Sequence, residues 1–250
     1  MSDTRIGSKP AGTTDKASAA AAVQKMFDDI APRYDVLNHV LSAGIDRQWW
    51  SRAARTFAPV LQHPEARILD LCCGTGDMTR ALLKHRPATP AEPILAIDFS
   101  HNMIELGRQK LAGQNANFIE ADALALPVED ASQDLVISAF GFRNLADYPA
   151  GLREIHRVLK PGGQIGILDF GEPDGLIGVA YQFYFRRILP LLGAAISGSK
   201  SSYEYLPESV ARFPKPPEMC ALMTDAAFAA PTWTPYLFGV AGLYRGTIAA

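Results

Sequence analysis

Two hydrophobic rhythms alternate along the chain. The stretches "RILDLC", "ILAIDF", "NFIEAD", "LVISAF" and "QIGILDF" are short and mostly apolar, too brief for helices, so each reads as a buried strand. Between them "MTRALLKH", "NMIELGRQKLA" and "GLREIHRVLK" space their apolar residues three and four apart, as helices do. This alternation predicts βαβ units and a parallel sheet covered by helices on both faces. Near the C-terminus "PEMCALMTDAAF" reads as another helix, whereas "TWTPYLF" and "GLYRGTIA" are strand-like runs only a few residues apart. A link that short joins only antiparallel neighbours. The predicted class is α/β, with a mostly parallel seven-stranded sheet and an antiparallel last strand.

The flanks have their own patterns. Residues 23–62 carry Met26, Phe27, Ile30, Leu37, Val40 and Leu41 at helical spacing, punctuated by Pro32 and Gly44, which predicts a helical N-terminal cap of two or three helices. Residues 1–22 are small and polar, without the apolar core of a signal peptide, and read as a disordered tail. Residues 172–217 are aromatic and then proline-rich, without repeats, and read as a lid inserted into a single domain spanning 23–250.

Composition narrows the classes. With 250 residues, 48% of them hydrophobic, the chain can bury the core of one enzyme-sized domain. A net charge of −2 and the lack of a dense Lys/Arg block argue against a nucleic-acid partner. The 3 cysteines form no C-x-x-C pair, which fits a reducing cytoplasm. Cys72 and Cys73 are neighbours on a strand end and point to opposite faces, so they read as packing residues and no metal site is expected.

The strand "RILDL" runs into Gly74-Thr75-Gly76, and a helix follows from about Asp77. Glycines there allow a sharp turn and close approach to the backbone, and the helix N-terminus offers free N–H groups. A dinucleotide fingerprint would place a third glycine where Thr79 stands, which disfavours an oxidoreductase. Asp70 at the strand end is a poor neighbour for pyrophosphate and a good one for a cation. S-adenosylmethionine carries an ammonium and a sulfonium, so it suits this corner better. Asp98 ends the next strand, where a carboxylate can accept both ribose hydroxyls, and Asp122 follows the third, where it can meet the adenine edge. Any one of these acids alone reads as a helix cap; three in succession read as an adenosyl-sulfonium site.

Longer stretches carry a family likeness. "FDDIAPRYDVLNHVLSAGIDRQWW", "FGFRNLADYPAGLREIHRVLKPGG" and "YFRRILPLLGAAISG…YEYLPESVARFP" resemble the ubiquinone/menaquinone-biosynthesis C-methyltransferases, in order, from about Val23 to Gly246. The chain departs from that pattern at Leu37, at Asp46 and at Asp169-Phe170-Gly171, positions that bear on the substrate and not on the reaction type. The resemblance implies a Rossmann-like class I methyltransferase using S-adenosylmethionine. Its cofactor residues would be Gly74, Thr75, Asp98, Asp122, Ala123 and Ser138, beside the Asp70 and Gly76 of the loop reading; Tyr34, Arg143 and Asn144 would serve the substrate.

The implied reaction methylates a ring carbon of a polyprenylated quinol, demethylmenaquinol or the equivalent benzoquinol, by direct displacement and without a metal. Arg143 would stabilise the developing oxyanion, while Asn144 and Tyr34 position a hydroxyl or a water relaying a proton to a carboxylate such as Asp98. The plainer alternatives are a salt bridge from Arg143 to Asp147, a core role for Tyr34 and a structural His39. The apolar stretch at 175–198 is broken by Arg186, Arg187 and Pro190, so it does not read as a spanning helix. It reads as a lid for the prenyl tail or a peripheral contact with the inner face of the membrane, with a homodimer interface or core packing as alternatives. Rival functions are methylation of another small molecule and a scaffold in a quinone-making complex.

Overall fold

The computed structural model describes residues 7–10, 12–41, 44–173, 175, 178 and 201–249, with backbone alone for 33–41 and 201–204. Seven strands form one sheet: β1 (Ile68–Leu71), β2 (Ile94–Asp98), β3 (Ala116–Glu120), β4 (Gln133–Ala139), β5 (Leu159–Phe170), β6 (Ala229–Tyr236) and β7 (Ala241–Thr247). Their spatial order is β3-β2-β1-β4-β5-β7-β6. β1 pairs in parallel with both β2 and β4, so the chain reverses its direction of winding there and leaves a crevice at the carboxyl ends. β7 is antiparallel to both neighbours and inserts between β5 and β6, so the antiparallel strand lies one place in from the edge.

Helices α1 (Lys16–Leu41), α2 (Asp46–Thr56), α3 (Ala58–Leu61), α4 (Asp77–Leu83), α5 (His101–Lys110), α6 (Tyr148–Val158), α7 (Ser201–Arg212) and α8 (Pro216–Asp225) accompany the sheet. The two faces bury separate cores. Leu152, Ile155 and Val158 of α6, with Met219 and Met223 of α8, pack on Leu69, Val136, Ile165 and Ile167. Trp49, Ala53 and Ala54 of α2, with Phe57 and Leu82, pack on Ile68, Leu135, Ile137 and Leu168. Adjacent strand residues thus feed opposite cores, which is why these strands read as unbroken apolar runs.

The N-terminal region departs from its sequence reading. Structure begins well before Val23: α1 starts at Lys16, and Ala19, Val23 and Ala31 along one of its faces are buried. Ser8, further upstream, is buried too, donating from its backbone N to Leu145 O at 2.7 Å and from Oγ to Asn144 O at 2.8 Å. The composition of residues 1–22 predicts a disordered tail; in the described part, residues 7–10 and 12–22, small side chains fit against their neighbours. A side chain at Gly7 would reach within 2.0 Å of Ala146 O, so only glycine permits that approach. Pro32 lies inside α1 and does not divide it.

Within the 172–217 segment, residues 172–173, 175, 178 and 201–217 are described, the last run holding α7 and the start of α8, and Ser209 and Val210 of α7 are buried. The apolar run at 175–198, read as a lid, membrane contact or subunit interface, lies outside the described residues apart from Gly175 and Gly178. No helix among the described residues is long and apolar enough to cross a membrane.

Candidate active site

A cavity opens at the carboxyl ends of β1, β2, β3 and β4. Its walls come from Cys72–Thr75 after β1, Asp98 at the end of β2 and Phe99 after it, Asp122 and Ala123 after β3, and Phe140, Gly141 and Asn144 after β4. Phe27 of α1 and Trp50 of α2 close it from above. Asp98 is buried, and its carboxylate accepts the N–H of Gly74 at 2.9 Å and of Ser100 at 2.9 Å. Burial pushes its carboxyl up to about 6, against the pull of those donors, so at neutral pH it presents an oriented anion to the cavity. Asp122 lines the same wall, with Oδ1 accepting Leu124 N–H at 2.9 Å. Thr75 lines it as well and accepts a hydrogen bond from Lys110 Nζ at 2.9 Å, while Lys110 pairs with Asp77 at 2.8 Å. A fixed carboxylate beside a glycine turn, with a second acid on the next loop, suits the ribose and adenine of S-adenosylmethionine.

Several predicted residues sit behind this wall. Asp70, read as a partner for the cofactor's cation, is fully buried and does not line the cavity. Its Oδ2 accepts the Thr79 hydroxyl, tying β1 to α4, while its Oδ1 has no hydrogen-bond partner among the described residues. Burial raises its carboxyl to about 7. Gly76 also stands off the cavity: its φ of 85° makes the turn into α4, and a Cβ there would lie 2.8 Å from the Phe118 ring. Ser138, 1% exposed, lies beneath Gly141 and likewise off the cavity.

Arg143 and Asn144 share a 3-10 turn, Phe142–Asn144, yet they face different surroundings. Asn144 lines the cavity. Arg143 does not; it is 5% exposed and pairs with Asp169 of β5 at 2.9 Å. Its guanidinium also donates to Phe140 O and lies 5.2 Å from the centre of the Phe170 ring, and its backbone N–H reaches Asp169 Oδ2 at 3.0 Å. The alternative pairing with Asp147 is overturned, because Asp147 caps α6 by accepting Ala150 N–H at 2.9 Å and pairs with Lys16. Arg143 turns inward under the loop toward β5, so spacing along the chain misled. Tyr34 lies on α1, and its side chain, like that of His39, is outside the described residues.

Sequence reasoning missed how α1 reaches the site. Asp28 accepts the Ser100 hydroxyl at 2.6 Å, Ser100 caps α5, and Gln24 donates to Phe99 O at 2.7 Å. These bonds set Phe27 and Phe99 with ring centres 6.4 Å apart on the cavity wall. The aromatic residues Phe27, Trp50, Phe99 and Phe140 had no distinguishing signal beyond being large and apolar near loop ends. Phe140 (φ 57°) and Cys72 (φ 55°) both take the left-handed conformation that non-glycine residues seldom adopt, and both line the cavity. The Cys72 and Cys73 thiols are held protonated by burial, and among the described residues no cluster of His, Cys, Asp and Glu could hold a metal ion.

Known proteins share this architecture. An S-adenosylmethionine-dependent methyltransferase from Thermotoga maritima superposes with a TM-score of 0.63 at 17% identity, covering 89% of this chain and 98% of that one. One from Mesorhizobium loti gives 0.56 at 18%, covering 78% and 96%. Sequence relatives are nearer. A demethylmenaquinone methyltransferase of Deinococcus radiodurans is 45% identical over 93% of this chain and 95% of its own length. One of Thermus thermophilus is 45% identical over 88% and 99%. The ubiquinone/menaquinone biosynthesis C-methyltransferase UbiE of Geotalea daltonii is 41% identical over 90% and 95%. The family model for the ubiE/COQ5 methyltransferases matches residues 14–248. With its class I sheet and an acid-tipped cavity suited to S-adenosylmethionine, this chain belongs to the ubiE/COQ5 methyltransferase family.

Proposed function

We propose that the chain methylates a ring carbon of a polyprenylated quinol, converting demethylmenaquinol to menaquinol. The observation that carries this reading is the aromatic part of the cavity lining. Beside the acids that suit a cofactor stand Phe27, Trp50, Phe99 and Phe140, surfaces for a flat aromatic ring, with the Asn144 amide as a polar contact for a ring oxygen. The relatives named for demethylmenaquinone support the same substrate.

S-adenosylmethionine supplies an electrophilic methyl group. Asp98, Asp122 and the Gly74-Thr75 backbone would hold that cofactor. The ring carbon ortho to a hydroxyl is nucleophilic only when the ring is reduced, and more so as the hydroxyl, which ionises near pH ~10 when free, loses its proton. The Asn144 amide donates to that oxygen as charge builds, and the aromatic walls exclude water and fix the ring's approach. Arg143 acts behind the wall: by holding Asp169 and Phe140 O it fixes the loop that presents Phe140 and Asn144.

For the prenyl tail we assign a lipid-facing rim. Leu237 and Phe238, 46% and 74% exposed, stand at the β6–β7 turn, beside the carboxyl end of β5 and so on the same rim as the cavity. Flotation with anionic vesicles checks this: Leu237→Ser with Phe238→Ser should reduce co-flotation, and unchanged flotation would exclude that rim.

The reaction is tested with purified protein, methyl-labelled S-adenosylmethionine and demethylmenaquinol. Label should appear on a ring carbon, and only with the reduced substrate. Equal labelling of the quinone under strictly oxidising conditions would refute the nucleophile. In a deletion strain of the source organism, accumulated demethylmenaquinone supports the naphthoquinol; an accumulated demethylated ubiquinone precursor would assign the benzoquinol.

A further inference from the structure

The turn carrying Asn144 is held from three directions. Tyr148 OH donates to Arg143 O at 2.8 Å, Ser8 Oγ donates to Asn144 O at 2.8 Å, and both contacts act on the backbone. Among the described residues one hydrogen bond acts on the amide itself: Tyr205 of α7 donates its OH to Asn144 Oδ1 at 3.0 Å. An amide is planar and has two ends, so fixing the oxygen also fixes the NH2. Along the stretch after β4 that lines the cavity, Phe140, Gly141, Asn144, Leu145 and Ala146, Asn144 has the only hydrogen-bonding side chain. Which end of that amide faces the cavity decides whether a ring oxygen meets a donor or an acceptor.

We propose that Tyr205 is a positioning residue: by occupying Asn144 Oδ1 it turns the amide NH2 into the cavity as a preset donor for the substrate's ring oxygen. This rests on the proposed function, in which Asn144 contacts that oxygen. The phenol suits the task, because burial pushes its hydroxyl up to about 12 and it remains a donor at any working pH. A preset donor is most effective where charge develops, so its loss should appear in kcat more than in cofactor binding. The arrangement also gives α7, part of the segment between β5 and β6, a task in the chemistry that its distance along the chain from Asn144 conceals.

The test is a double-mutant cycle with Tyr205→Phe and Asn144→Ala, with rates normalised to cofactor-binding sites titrated by calorimetry so that partial unfolding does not imitate a slower reaction. Tyr205→Phe should lower kcat about 10-fold with the cofactor Kd unchanged. In the Asn144→Ala background the same change should have no further effect, since there is no amide left to orient. The side-chain NH2 resonances of Asn144, assigned by their loss in Asn144→Ala, should shift and broaden in Tyr205→Phe without any substrate. Unchanged kcat in Tyr205→Phe, equal losses in both backgrounds, or an undisturbed amide would each overturn the assignment. Normal kcat in Asn144→Ala would instead remove the substrate contact on which it rests.

Discussion

Asp98 joins structure and chemistry at a single residue. Its carboxyl is pushed up to about 6 by burial, so it is ionised at neutral pH and protonates as the solution becomes mildly acidic. A carboxylate accepts two ribose hydroxyls better than a carboxylic acid does. Cofactor affinity measured by calorimetry should therefore fall below a midpoint near pH 6, and Asp98→Asn should bind weakly with a flatter profile. A second residue-scale prediction separates Arg143 from Asp147. Removing Arg143 leaves Asp169 buried without its cation, a change of about 3–5 kcal/mol in unfolding free energy. Removing Asp147 deletes a helix cap and a partly exposed ion pair, about 1 kcal/mol. Denaturation of Arg143→Ala and Asp147→Ala checks the contrast, and similar small losses in both would show that the Arg143 pair contributes little.

At the scale of elements, two junctions decide whether the site forms. The β1–α4 turn needs Gly76, whose left-handed φ and contact with Phe118 leave no room for a side chain. Gly76→Ala should lower the melting temperature and weaken cofactor binding, because Thr75 and Asp77 on either side of it line the cavity. The other junction is the docking of residues 7–10 against the Asn144–Ala146 stretch. Deleting residues 1–12 removes the two Ser8 hydrogen bonds and leaves α1 intact. Faster amide exchange across residues 142–146, with reduced activity, is the expected result; unchanged exchange would make the docking energetically idle. Composition alone reads as a disordered tail. Small polar residues carry no periodic signal for docking, since what orders them is a matching groove elsewhere in the chain.

For the whole molecule, the two raised carboxyls give stability a direction in pH. Asp70 (about 7) and Asp98 (about 6) hold protons in the folded state that the unfolded chain, with ordinary values near 3.8, has already released. Their contribution to folding is present at low pH and is lost as pH rises through those two values. In urea titrations of the cofactor-free protein, Asp70→Asn should flatten that decline between about pH 4 and pH 7, because a neutral amide keeps an acceptor for Thr79 without a buried charge. The sequence by itself determined the alternation of strands and helices, the antiparallel last strand, the glycine turn, the acids Asp70, Asp98 and Asp122 at or after the ends of β1, β2 and β3, and the family. All of these depend on short-range signals: hydrophobic period, turn residues and order along the chain. Tertiary structure alone decided that Asp70 braces α4 and does not line the cavity, that Arg143 meets Asp169 and not Asp147, that α1 lines the cavity, and that Tyr205 reaches Asn144. Those pairings join residues from distant parts of the chain, or turn a side chain inward or outward on a single loop. No local pattern encodes them, because the order of the strands and the packing of the helices above them choose the partners.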